Sequence, residues 1–327
     1  MIAGFAGAAG PAQAAEPAPL IVNAKEYPWS AIGRVNTGGR GFCTGFMVAP
    51  QVMLTAAHCL YDFREQRWWP TSEVHFLPGY QRDTYLGHAR VLAYSVAGTY
   101  QPRIEPQIES VLDDWAVVIL KAPIGETVGW LGIQRLDNEI LDSIAEGRAI
   151  ALQAGYRRDR PHAISVQVKC SIPGLFGNGR GILHSCDVNE GGSGSPLLVF
   201  ANGDVRALGI HAVRARIQNG APVAGALATS VFDPDRGSLP AVSAWRDAGL
   251  SWGRGRAPES SDTALRSPTN TIDLLLGRLG YSVPINGHGL ADDDRRSAIL
   301  AFERSTGQPE TGAPSLALLG QLIRALN

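Results

Sequence analysis

The chain has 327 residues, 45% of them apolar and 18% charged, with a formal net charge of −1. That balance gives no basic signature for a nucleic-acid partner, and no run of 18 apolar residues offers a helical membrane span. The length suits two or three domains, and 38 glycines with 21 prolines suit a turn-rich β fold.

Residues 1–20 form an Ala- and Gly-rich leader with no basic residue before Lys25. Ala12-Gln13-Ala14 fits a signal-peptidase site, so the leader reads as the tail of a secretory signal, and the expected location is secreted or periplasmic. From Tyr27 to Phe232 the chain reads as short strands separated by Gly- and Pro-bearing turns. Examples are Ser30–Val35, Phe42–Val48, Val74–Leu77, Ala116–Leu120, Ala149–Ala154, Ile164–Val168, Pro196–Phe200 and Ala207–His211. Such a pattern predicts an all-β barrel or sandwich, closed by a short helix near Pro240–Ala248. Ser251–Asn270 is rich in Gly, Arg, Ser and Pro and reads as a linker. Beyond it the period becomes helical, with Ile272, Leu275, Leu276 and Leu279 on one face. Asn270 is placed to cap that helix. Ala298, Ile299 and Phe302 mark a second helix after an acidic run. Ser315 can cap a third, carrying Leu316, Leu319, Ile323 and Leu326. The domains are thus 1–20 leader, 21–250 β domain, 251–270 linker and 271–327 three-helix bundle.

Four cysteines allow three pairings. Cys43 with Cys59 and Cys170 with Cys186 is the simplest. Each pair closes a loop of about 15 residues, worth roughly 3 kcal/mol through the unfolded chain, and such bridges persist outside the cytosol. No Cys-x-x-Cys is present, so the spacing predicts no zinc site, and no metal or cofactor is expected.

Two segments carry the chemistry. Leu54-Thr55-Ala56-Ala57-His58-Cys59 sets a histidine at the end of an apolar strand, and Gly191-Gly192-Ser193-Gly194-Ser195-Pro196 sets a serine among glycines. A serine hydroxyl is a poor nucleophile until a base takes its proton, and a histidine distant in sequence can be that base. These segments, with Asp113-Asp114-Trp115-Ala116-Val117-Val118 between them, resemble the His, Asp and Ser motifs of chymotrypsin-like serine proteases, in that family's order. The resemblance covers about Ile21 to Leu250. It implies two six-stranded antiparallel β-barrels, followed here by the helical bundle, and an endopeptidase acting on polypeptides. It implies catalytic His58, Asp114 and Ser193, with the N–H groups of Gly191 and Ser193 as the oxyanion hole. It also implies a bridge from Cys59 to a cysteine about 16 residues upstream, which Cys43 fits.

The chain departs from the trypsin pattern at Gly192, where trypsins carry the aspartate that pairs with the new N-terminal amine after zymogen cleavage. Gly-x-Ser-Gly-Ser-Pro, Cys186-Asp187 and Tyr27-Pro28-Trp29-Ser30-Ala31-Ile32-Gly33 look more like bacterial proteases related to glutamyl endopeptidases. In that branch a Gly-apolar-His segment helps bind an acidic side chain, and Gly209-Ile210-His211 matches it. Asp187 lies six residues before Ser193, where trypsins keep the aspartate that binds Lys or Arg. His211 and Asp187 are therefore both candidate substrate-binding residues with opposite preferences, and a structural role is the favoured one for Asp187.

Thr271–Leu326 resembles the three-helix peptidoglycan-binding domain of bacterial cell-wall enzymes. The resemblance is carried by Leu274 to Tyr281, Asn286-Gly287, Ala298 to Glu303, Gly307, Gly312 and Ser315 to Leu319. It implies peptidoglycan as a partner and cell-wall association. His288-Gly289-Leu290 and three aspartates replace the family's usual turn between the first two helices. The competing expectations are a non-catalytic wall binder on a protease fold and a bundle that packs or docks against the protease.

Overall fold

The structure is a computed structural model. It describes residues 18–104, 107–216, 222–232, 255–260, 262–282 and 289–326. Strand β1 (Leu20–Ile21) leads into β2 (Ile32–Thr37), β3 (Gly41–Ala49) and β4 (Val52–Thr55). A small hairpin pairs β5 (Tyr61–Asp62) with β6 (Arg67–Trp68), and β7 (Val74–Pro78), β8 (Ala89–Val96) and β9 (Ala116–Leu120) follow. The order β2-β3-β4-β9-β8-β7 closes into a barrel. Its central pair is built for burial. All of β4 and most of β9 are buried, and β-branched Val117, Val118 and Ile119 suit a pleated, packed surface.

The second half is a nine-stranded sheet. Its remaining strands are β10 (Gly132–Ile133), β11 (Ile150–Arg157), β12 (Arg160–Gln167), β13 (Gly174–Phe176), β14 (Gly181–His184), β15 (Pro196–Ala201), β16 (Asp204–Arg216) and β17 (Pro222–Ala228). The path runs β1-β12-β11-β15-β16-β17-β14-β13, with β10 pairing β16. Strand β1 thus ties the start of the described chain to the second half, Leu20 opposite Val166.

Two expectations from the pattern of apolar residues shift. The strand expected from Ser30 begins at Ile32, because Trp29–Ala31 form a 3₁₀ turn. The strand expected to end at His211 runs on to Arg216 through a bulge between His211 and Val213. The helix expected near Pro240–Ala248 lies outside the described residues. Helices α1 (Gly125–Val128) and α2 (Asn138–Ala145) interrupt the expected run of strands; Asp137 caps α2 by accepting from the Ile140 N–H at 3.0 Å.

The C-terminal part holds α3 (Thr263–Arg266), α4 (Thr269–Arg278), α5 (Asp292–Ser305) and α6 (Leu316–Ala325). Ser315 caps α6 as expected, accepting from Leu318 N–H at 3.1 Å. Asn270 does not cap α4. It lies inside the helix, whose N-cap position is Pro268. The cap comes from 244 residues away: the Glu26 carboxylate accepts from the Asn270 N–H at 2.7 Å and from its side-chain amide at 2.5 Å. It also accepts from the Thr271 N–H at 3.2 Å. The fully buried Trp29 donates its indole N–H to Thr271 Oγ1 at 3.1 Å.

The stretch read as a linker is docked where it is described. Arg256 and Trp130 exchange both backbone hydrogen bonds, at 2.8 and 2.9 Å. Tyr27 N–H donates to Leu265 C=O at 3.1 Å. On α6, Gly320 lies against Phe200, and Arg324 donates to Arg148 C=O at 2.6 Å. Ile272, Leu276, Phe302 and Leu319 belong to the same apolar cluster as the barrel. The helices therefore pack on the β domain as one body with it.

Candidate active site

His58 sits in a 3₁₀ turn, Ala57–Leu60, directly after the buried β4, and Asp114 lies two residues before β9, the neighbour of β4 in the barrel. Strand pairing therefore brings residues 56 apart in sequence together. The Asp114 carboxylate is 2% exposed and accepts from His58 Nδ1–H at 2.7 Å and from the His58 backbone N–H at 2.9 Å. The first bond selects the tautomer with the proton on Nδ1 and leaves Nε2 free to act as a base. Burial pushes the imidazole pKa down, but the charge of Asp114 and its hydrogen bond push it up by more, so it is raised. Tyr100 faces the same carboxylate. Burial, then the charge of Asp114 and a hydrogen bond to it, raise its phenol pKa.

The serine loop is fastened to the first barrel through Thr44. The Thr44 N–H donates to Ser193 C=O at 2.9 Å, and its hydroxyl donates to Gly191 C=O, also at 2.9 Å. The same hydroxyl accepts from Tyr156 N–H at 3.0 Å. The neighbouring Cys43 is bridged to Cys59, next to His58, so one short segment braces both the serine loop and the histidine turn. The second bridge joins Cys170 and Cys186. Gly194 is the position where glycine is obligatory. Its φ is +77°, and a Cβ there would lie 2.2 Å from Thr55 Oγ1 and 2.3 Å from the Thr44 carbonyl oxygen. Among the described residues, the N–H groups of Gly191 and Ser193 have no protein acceptor. Ser195 is a buried support, its hydroxyl accepting from Gln153 at 2.5 Å.

His211 and Asp187 occupy different environments. His211 is buried on β16, and its C=O accepts from Gly194 N–H at 2.7 Å, within the serine loop. Its Nδ1 lies 3.3 Å from Nε2 of His184, which is fully buried on β14. Burial pushes His184 down to about 3. Burial, then repulsion between its protonated form and those of His184, His58 and Arg214, pushes His211 well below the usual histidine range. Both rings are neutral at ordinary pH. Asp187 is about half exposed, but Arg157 spans it, donating to its carboxylate at 3.1 Å and to its backbone C=O at 2.9 Å. Arg157 is shared with Asp159; burial pushes its pKa down, but the hydrogen bonds and charges of Asp159 and Asp187 outweigh that and raise it. A further cluster, Cys43 with His58 and Cys59, has metal-ligand spacing, but both sulfurs are spent in the disulfide.

Residues 21–231 match the trypsin family. The chain belongs to that family. The match ends before the C-terminal helices. Among curated proteins, the glutamyl endopeptidase of Bacillus licheniformis is 26% identical over 178 residues, which are 54% of this chain and 51% of that protein. A Bacillus subtilis protein named extracellular metalloprotease is 32% identical over 102 residues, 30% of this chain and 29% of that protein. The chain thus spans about half the length, or less, of these curated relatives. A solved structure of a Glu endopeptidase in complex with MPD aligns with a TM-score of 0.54 at 21% identity, covering 72% of this chain and 98% of that one, which establishes the shared fold.

Within this trypsin-family frame, motifs in the sequence mark His58, Asp114, Ser193, Gly191, His211 and Asp187. Thr44, Tyr100, Gln153 and His184 carry no such mark. Thr44 adjoins Cys43, but nothing local reveals that it reaches a loop 147 residues away. His184 has no motif around it; only the sheet order places β14 beside β17 and β17 beside β16.

Proposed function

We propose that the chain is a secreted or periplasmic serine endopeptidase that cleaves polypeptides through His58, Asp114 and Ser193. His58 Nε2 takes the Ser193 proton as Oγ attacks the scissile carbonyl carbon. The carbonyl oxygen gains negative charge and is met by the N–H groups of Gly191 and Ser193. His58 then gives the proton to the leaving amine, which departs as the acyl-enzyme forms. Water, activated by the same imidazole, releases the acyl group. Asp114 stabilises the transient imidazolium. The observation that carries this reading is the double acceptance by Asp114 from the ring and backbone of His58, because a merely structural histidine needs no fixed Nδ1–H tautomer. Labelling by a fluorophosphonate probe tests it: a covalent adduct on Ser193 supports it, and an inert serine favours the non-catalytic protease-fold binder.

Cleavage after acidic residues is the preference we propose. Support comes from the buried His211 beside the serine loop and from the pairing of Asp187 with Arg157, which takes up the carboxylate a Lys- or Arg-directed pocket would need. The similarity to glutamyl endopeptidase points the same way. Secretion is supported by the two disulfides and by the leader composition; no described helix is long and apolar enough to cross a membrane. Docking on the protease is the role the contacts of the C-terminal helices favour. Peptidoglycan binding by those helices rests on their sequence resemblance, and sedimentation of the full chain with purified cell wall tests it.

A further inference from the structure

The docking of the C-terminal helices creates a cleft of about 860 Å³ between the N-terminal segment, the turn after β7 and one face of α4. Its walls are held in place. Leu20 and Ile21 pair with β12, Ala24 N–H donates to the side chain of Gln81 at 2.8 Å, and Glu26 holds the start of α4. The cleft is therefore a preformed feature joining both parts of the chain, within the size range of small-ligand sites.

Its charge is one-sided. Lys25, Arg82 and Arg278 line it, and among the described residues none of the three has an acidic side chain at ion-pair distance. The acidic groups nearby are already taken. Asp273, the lining carboxylate, is fully buried and accepts two bonds from Arg295, at 2.8 and 2.9 Å, and one from Leu290 N–H. Glu26 is bonded to α4. Asp83, beside Arg82, accepts from the Tyr80 hydroxyl and pairs with His162. In a chain of net charge −1, three cations collected in one cleft focus an attractive field for an anion.

The rest of the lining narrows the class of anion. Asn23, Gln81 and Asn270 each commit one side-chain atom within the chain, Asn23 Oδ1 to Lys25 N–H, Gln81 Oε1 to Ala24 N–H and Asn270 Nδ2 to Glu26, which leaves the Asn23 and Gln81 amide NH₂ groups and the Asn270 carbonyl to match peptide C=O and N–H groups. Ile21, 40% exposed, and Leu274 offer apolar surface for short aliphatic spacers. Guanidinium forks of Arg82 and Arg278 match carboxylates in pairs. We infer that this cleft is a binding site for a short acidic peptide, separate from the catalytic centre, with Lys25, Arg82 and Arg278 receiving its carboxylates. Such a site would hold an acidic segment of a polypeptide, or an acidic product, against the face where the C-terminal helices meet the protease.

The test is titration calorimetry of the full-length Ser193→Ala chain with the tripeptide Glu-Glu-Glu, its integrity checked by mass spectrometry, and with tripolyphosphate in a parallel arm. Saturable tripeptide binding is expected. Lys25→Ala or Arg278→Ala should weaken it at least tenfold, while Lys25→Arg should change it less than threefold. Where an alanine variant fails to fold, Lys25→Gln and Arg278→Gln keep most of the aliphatic stem and replace it. Absence of saturable binding overturns the inference, as does binding that survives the Lys25 and Arg278 changes. Tripolyphosphate binding without tripeptide binding makes the cleft a phosphate site and overturns the peptide assignment. Tripeptide binding abolished by His211→Ala but indifferent to the cleft variants places the peptide in the catalytic cleft, which also overturns it. Because the readout is binding in a chain without Ser193, a failed catalytic reading leaves this test intact.

Discussion

The Glu26 carboxylate and the Thr271 backbone N–H, 245 residues apart, meet at 3.2 Å in a site where Glu26 is only 1% exposed. Burial raises the Glu26 pKa to about 7, against the lowering effect of its bonds from Asn270 and Thr271. The docked state thus holds a proton more readily than the unfolded chain does. Stability contributed by the protonated form is fully present below the unfolded value of 4.5 and is lost as pH rises through about 7. A shift of that size is worth roughly 3 kcal/mol. Thermal denaturation of the wild type should show Tm falling between pH 5 and 8, and Glu26→Gln should flatten that slope. An identical slope in both proteins would assign it to other groups.

Truncation is expected to be costly. A chain ending at Ser260 would expose Trp29, Phe200 and the Glu26 carboxylate, all now covered by α4 and α6. Burying a large apolar side chain is worth about 1.5–3 kcal/mol, and several are uncovered at once. The truncated protein should melt at least 10 °C lower, or fail to accumulate as a folded protein, in circular dichroism. A melting point within 2 °C of the full chain would mean the interface contributes little.

Legibility in the sequence followed locality. The His58 turn, the glycine-rich serine loop and the β-strand alternation are each specified within a few residues, so motif and period reveal them. Ser315 is a local cap and is readable for the same reason. Asn270 has the residue type of a cap but not the place of one, because α4 has its cap supplied by tertiary contact, and Glu26 carries no mark of that in its own neighbourhood. The stretch after Ser251 is polar in composition, yet Arg256 pairs with Trp130 and Pro258 is buried; composition reports average solubility, and a single bridge is enough to dock such a segment. His184 became visible only when the sheet order set it beside His211.

Thr44 offers a test of how the serine loop is held. Thr44→Val keeps the shape but removes the hydroxyl that donates to Gly191 C=O and accepts from Tyr156 N–H. Each buried group left without a partner costs about 1–3 kcal/mol. Because Gly191 carries a proposed oxyanion donor, the loss should appear in kcat, by about 10- to 100-fold, with KM changed less. Steady-state kinetics on a peptide amide decides this, and an effect confined to KM would contradict it.

The catalytic assignment predicts a characteristic pattern of losses. Ser193→Ala and His58→Ala should each lower kcat by several orders of magnitude, and the double variant should lose little more, because the groups act as a unit. Asp114→Asn should cost about 10⁴-fold by fixing the wrong tautomer. Since His58 must be neutral to act as base and its pKa is raised, kcat/KM should rise with pH through a midpoint above the usual histidine value. Additive losses in the double variant would be incompatible with a shared mechanism.

The proposed acidic preference rests on a neutral donor. His211 is held neutral by burial, with the charge of Arg214 acting the same way, and His184 Nε2 lies 3.3 Å from its Nδ1. If His184 Nε2–H donates to His211 Nδ1, then His211 carries its proton on Nε2, and the buried Nδ1 of His184, which has no partner among the described residues, is a bare acceptor. The reverse direction would bury an unsatisfied N–H at His184, the costlier arrangement. His211 can then offer Nε2–H to a substrate carboxylate without itself being charged. Preference for Glu over Gln before the scissile bond, as the ratio of kcat/KM, should therefore stay flat from pH 6 to 8 rather than decay as a titrating imidazolium would. His211→Ala should reduce that ratio at least tenfold while cleavage of a Gln substrate changes less. Asp187→Asn, whose parent carboxylate is paired with Arg157, should leave the preference acidic. Profiling with a peptide library checks all three, and cleavage after Lys or Arg that disappears in Asp187→Asn would overturn the acidic preference.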